Sequence, residues 1–111
     1  MTAEKIREVM QEFAAETRKV YGSRLYAVIL YGSCARGDFT EDSDIDVMVL
    51  LDVAEEELGA EREQIIDIAN RLDWDYDVVL APVLQNYKTY EYYLPVSVFY
   101  QNVQKEGVKI A

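Results

Sequence analysis

Fifteen residues from Gly32 to Asp46, GSCARGDFTEDSDID, combine residue types suited to phosphate and divalent metal. Gly32 lets the backbone approach an anion closely, and Ser33 adds a hydroxyl beside the amides of a short following turn, so the pair forms a candidate phosphate nest. Asp44 and Asp46 lie two apart at the start of the apolar run IDVMVLL. In a strand their side chains leave the same face, about 6.6 Å apart along the chain. Asp77 heads a further apolar run, VVL. Two ionised carboxylates roughly 5 Å apart repel by about 3 kcal/mol at an effective dielectric near 20, so three together need protonation, a neighbouring cation or a bound metal. Magnesium accepts such sites, with few protein carboxylates completed by substrate phosphates. Taken singly, each piece has a plainer reading: most Gly-Ser pairs are turns, and most Asp-x-Asp triplets are solvated turn residues. Their combination is what points to a metal-nucleotide site.

The elements that must position these residues follow from periodicity. Ile6, Val9, Met10, Phe13, Thr17 and Val20 recur three or four apart, which predicts a helix over about 3–20, with Thr2 as N-cap and Gly22 as stop. Residues 25–31 and 45–51 read as buried strands. Asp52 and Glu55 resemble a capping box opening a helix with Leu58, Ile65, Ile66, Ala69 and Leu72 on its apolar stripe, although Gly59 weakens its first turns. A third strand is expected over 74–80, ended by Pro82, then an aromatic segment open between loop and helix. A last helix follows Pro95 to Glu106, with Gly107 as its break and a short edge strand over 108–110.

This order implies an α/β domain, residues 1–111, with helices packed on a small mixed sheet. The helical connection makes the second and third strands parallel, and the direct connection lets the first and second pair antiparallel. Asp77 would then start a strand alongside Asp44 and Asp46, and the first strand would deliver Gly32 and Ser33 to the same edge.

Composition narrows the chemistry. The chain has no histidine, which excludes histidine bases, Ser-His-Asp triads and histidine-ligated metals. Eleven Lys and Arg stand against 21 Asp and Glu, a formal charge of -10, which disfavours a nucleic-acid substrate. A lone cysteine, Cys34, suits a reducing compartment and reads as a buried thiol. The charged N-terminus and the lack of a long apolar run predict a cytoplasmic protein with no membrane span. Tyr87, Tyr90, Tyr92, Tyr93 and Tyr100 either fill a small core or form a partner or homo-oligomer surface.

YGSCARGDFTEDSDIDVMVL, YDVVLAP and FYQNVQKEGV together resemble the minimal nucleotidyltransferases of the DNA polymerase β-like superfamily, over nearly the whole chain. Their signature is Gly-Ser, ten residues, Asp-x-Asp and a third aspartate on a later strand. The resemblance implies the polymerase β-like palm fold, with Asp44, Asp46 and Asp77 as metal ligands and catalytic carboxylates, and Gly32 and Ser33 as triphosphate contacts. It implies two magnesium ions, about 3.5–4 Å apart, and ATP as donor of AMP to a hydroxyl. Arg36 either neutralises phosphate, contacts a partner or makes a surface salt bridge. Asp73 and Asp75 share the alternation phase of Asp77, so either could replace it. Family members pair with HEPN-domain toxins, which implies an antitoxin that adenylylates a toxin tyrosine. The alternatives are an antitoxin acting by binding alone and a transferase acting on a small molecule such as an aminoglycoside.

Overall fold

A computed structural model describes all 111 residues. Helix α1 spans Ala3–Tyr21, capped by the Thr2 side chain, which accepts from the Lys5 amide, and stopped at Gly22, whose φ is 55°. Strand β1 (Leu25–Tyr31) leads into the single turn of helix α2 (Ser33–Arg36), and β2 covers Ile45–Leu51. Helix α3 (Leu58–Tyr76), β3 (Leu80–Asn86), α4 (Tyr87–Tyr93), α5 (Val98–Glu106) and the two-residue β4 (Val108–Lys109) complete the chain.

The sheet order is β3-β2-β1-β4. β1 pairs antiparallel with β2 and β4, while β2 and β3 run parallel, as the connections require. β2 is central and apolar almost throughout because both of its faces are covered. Ile45, Val47, Val49 and Leu51 meet the layer that includes Val9, Phe13, Ile65 and Leu72 of α1 and α3. Met48 and Leu50 point the other way, into a smaller core with Tyr90 of α4 and Val103 of α5. Asp46 shares that second face.

Three expectations about elements are corrected. Asp52 does not cap a helix: its amide donates to the Arg24 carbonyl at 2.8 Å, Glu55–Glu57 form a 3-10 turn, and α3 begins at Leu58. Ile68 rather than Ile66 completes the buried stripe of α3, Ile66 being 40% exposed. The third strand is not 74–80. Trp74, Asp75 and Tyr76 continue α3, and β3 runs through Pro82 to Asn86. Proline did not end the strand because β3 lies at the sheet edge, where one side has no neighbour to receive a donor.

Candidate active site

Gly32 ends β1 with φ 75° and ψ -158°, a conformation reserved almost entirely for glycine. A second constraint acts there: a Cβ at residue 32 would overlap the Asp46 Oδ2 atom. Glycine thus lets the turn close directly onto the carboxylate. The turn is held by Ala35 and Arg36 amides donating to the Gly32 carbonyl at 3.1 and 3.0 Å, and by the Gly37 amide donating to the Ser33 carbonyl at 2.9 Å.

The loop into β2 is tied down by short-range bonds. The Thr40 amide donates to Ser43 Oγ at 2.8 Å, and the Ser43 amide returns to the Thr40 carbonyl at 3.2 Å. Cys34, buried as its type suggests, directs its thiol to the Asp44 carbonyl at 3.5 Å. Burial pushes the Cys34 thiol pKa up, which keeps it protonated and unreactive. The Ile45 amide donates to the Val79 carbonyl at 2.8 Å, joining the start of β2 to the approach of β3.

Asp46 lies between Tyr31 on β1 and Ala81 on β3. Burial raises its carboxyl pKa, the neighbouring Asp44 raises it further, and Arg36 acts in the opposite direction. An acid pair under this electrostatic load, with a glycine cradle against it, has the donor chemistry that magnesium accepts. No three acidic or thiol side chains gather into a metal cage. Asp44 and Asp46 are the carboxylates here that would hold such an ion, with substrate oxygens completing its shell.

Asp77 does not start a strand beside this pair. It caps α3 in the left-handed conformation, φ 54°, and its amide donates to the Asp73 carbonyl. With Asp42 and Ser43, which precede Asp44, and Val79, whose carbonyl accepts from Ile45, it lines a cavity of about 340 Å³ between the start of α1 and the start of β2. Asp75 is exposed on α3. Asp73 is half-buried and accepts from the Leu80 amide at 2.8 Å. Burial raises its pKa, the Leu80 hydrogen bond opposes that rise, and Asp44 adds to it.

Arg36 extends from α2 to two carboxylates, Asp38 at 3.3 Å and Glu106 of α5 at 2.9 Å. Glu106 and two aromatic neighbours of the site, Tyr31 and Phe99, were not singled out by spacing. Tyr31 and Phe99 pack edge to face with centroids 5.7 Å apart. Their signal lay in YGS and FYQNVQKEGV, which carried the resemblance without indicating separate roles. The tyrosines divide between the two readings: Tyr90 is buried, whereas Tyr92 is 76% exposed.

Residues 4–110 match the family model described as nucleotidyltransferase domain. Two proteins of Methanocaldococcus jannaschii, both provisionally named protein adenylyltransferases, are similar along their lengths. One is 35% identical over 93% of this chain and 96% of its own; the other is 32% identical over 90% and 92%. A crystal structure of a toxin-antitoxin with AMP-PNP superposes with a TM-score of 0.60 and 19% identity, covering 91% of this chain and 72% of that one, a likeness of fold. No helix is long and apolar enough to cross a membrane. Agreement of sequence across residues 4–110 with the architecture around Asp46 leads to one conclusion: the chain belongs to the nucleotidyltransferase family and is a nucleotidyltransferase.

Proposed function

We propose that the chain transfers AMP from ATP to a tyrosine hydroxyl of a partner protein, a HEPN toxin, and so acts as an antitoxin in the cytoplasm. The observation that supports the reaction is the closure of the Gly32 turn onto the Asp46 carboxylate, which we read as a phosphate-binding turn beside a metal ligand. The protein acceptor is supported by the names of the two relatives, and the toxin setting by the structural neighbour, a toxin-antitoxin with AMP-PNP.

In this reading Gly32 and Ser33 hold the β- and γ-phosphates over the end of β1, with Arg36 supplying positive charge. Asp44 and Asp46 hold magnesium, which when bound polarises phosphoryl oxygens and offsets the mutual repulsion of the two acids. The acceptor oxygen forms a bond to the α-phosphorus as the bond to the pyrophosphate oxygen breaks. The hydroxyl proton passes to a carboxylate or to water. The remaining carboxylate of the motif is left to the junction of α3 and β3, where Asp73 and Asp77 stand, and contributes less than the β2 pair.

The test combines binding and product. ATP with magnesium should raise Tm, by mass action on the folded state, and EDTA should remove most of the rise. Incubation with a HEPN toxin should add one or more AMP masses to that protein. Equal Tm shifts with and without EDTA would refute the metal site, and an unmodified partner beside intact ATP binding would refute the acceptor.

A further inference from the structure

The sheet face that carries Asp46 is covered over part of its length. Ala81 stands beside Asp46 in the register, and Val83 and Gln85 follow on the same face of β3. Beyond Ala81 a groove of about 490 Å³ opens between β3 and the α4–α5 corner, with Val83, Tyr93, Val96 and Phe99 among its walls. Its near wall is continuous with the site, since Phe99 also packs on Tyr31, the β1 partner of Asp46.

Two observations indicate what the groove receives. The first is direction. Gly32 and Ser33 lie at the end of β1, so in the transfer reading proposed above a pyrophosphate held by them leaves on the β1 side of β2. An in-line displacement brings the acceptor from the opposite side, and in the order β3-β2-β1 that side is β3. The second is chemistry. Several polar groups of the groove are engaged within the chain: the Gln85 amide donates to the Tyr100 hydroxyl at 2.7 Å, its carbonyl accepts from the Asn86 amide at 2.9 Å, and the Thr89 hydroxyl lies 3.5 Å from Asn86 Oδ1, which leaves the Tyr93 hydroxyl to solvent. Ser97 Oγ caps α5 by accepting from the Tyr100 amide at 3.1 Å. The most exposed lining residues are Val96, Tyr93 and Phe99, at 77%, 48% and 44%, and no lining residue is charged. A purine edge would find no charged partner there and would set its ring nitrogens against Val83, Val96 and Phe99. An aliphatic or aromatic side chain requires none.

We propose that this groove seats an uncharged aliphatic or aromatic side chain of the acceptor polypeptide, next to the residue whose hydroxyl is modified. The inference rests on the protein-acceptor reading above and adds to it the docking surface and the chemistry it selects.

Two capped tripeptides serve as probes, N-acetyl-Leu-Tyr-Leu-amide and N-acetyl-Gly-Tyr-Gly-amide, titrated into the isotope-labelled full chain. The leucine peptide should shift the backbone resonances of Val83, Tyr93 and Phe99 and bind at least about tenfold tighter, the return for burying one leucine. Val96→Asp, at a solvent-facing position, should abolish the difference while ATP affinity stays within about twofold. Equal binding of the two peptides, shifts confined to another surface, or shifts at these residues with ATP alone would overturn the groove assignment; the last would make it the seat of the base. Intact-mass measurement with ATP and magnesium separates the two ideas. Groove binding without gain of AMP sinks the transfer reading and leaves the groove, whereas gain of AMP without preference for leucine sinks the groove.

Discussion

The junction of β1 with β2 and the junction of α3 with β3 both bring aspartates to one end of the sheet, yet they do so with different security. At the first, Gly32, Ser33, Asp44 and Asp46 fall within fifteen residues and are tied by bonds inside that stretch. At the second, the position of an aspartate depends on where a 19-residue helix stops. Each residue of α-helix turns a side chain by about 100°, so continuing α3 through Tyr76 moves Asp77 off any strand face. A site assembled locally is robust to such a change, and one delivered by a long helix is not.

The largest effect should come from the double substitution Asp44→Asn with Asp46→Asn. Loss of both carboxylates should lower nucleotidyl transfer at least about a hundredfold, because several kcal/mol of charge stabilisation disappears with the metal. Fold stability should move the other way. Asp46 has a raised pKa in the folded protein, so its contribution to stability is present at acidic pH and is lost as pH rises through that raised value. Denaturant melts at pH 4 and pH 8 should show wild type losing more stability across that interval than the double variant. A variant less stable than wild type at pH 8 would contradict the electrostatic account.

Gly32→Ala comes next. A methyl there must both adopt the glycine-only backbone region and displace the Asp46 carboxylate, so folding should weaken by about 1–3 kcal/mol and activity should fall at least about tenfold. Gly37→Ala is a control: its φ is also positive, at 91°, but its Cβ meets nothing within 4 Å, so it should strain the backbone without touching the carboxylate. Similar losses of activity in both would show that Asp46 is not what Gly32 protects.

Asp77→Asn and Asp73→Asn probe the weaker junction directly, and each should reduce kcat by less than about tenfold, below the usual range for a full acid-base group. Asparagine tolerates the left-handed conformation at 77, so the helix stop should survive. A loss at Asp77→Asn equal to that of the β2 pair would mean that the α3–β3 end closes over the site when nucleotide binds, and the contrast between the junctions would collapse. The smallest effect should be that of Glu106→Gln, which frees Arg36 from one exposed ion pair. The KM for ATP should change by about twofold, with kcat unaltered, because such pairs are worth under about 1 kcal/mol.

Most elements and their sense of pairing were legible in the order of residues alone. The apolar period of α1, the runs of β1 and β2, and the presence of a helix between β2 and β3 dictate a mixed sheet, because burying those faces leaves few alternatives. That order also brings Gly32 against Asp46, since fifteen residues with a tight turn and one strand register leave little freedom. Tertiary structure decided the rest. VVL and Pro82 carry no mark of whether the chain before them has left its helix; that was settled by packing, with Leu72 buried against the core and the Leu80 amide bonded to Asp73. The groove beside Val83 was likewise illegible, because its walls come from β3, α4 and α5 and exist only once Tyr90 and Val103 have closed over Met48 and Leu50. Local spacing encodes contacts made by neighbours in the chain; contacts between separate elements depend on where each element ends, which packing sets.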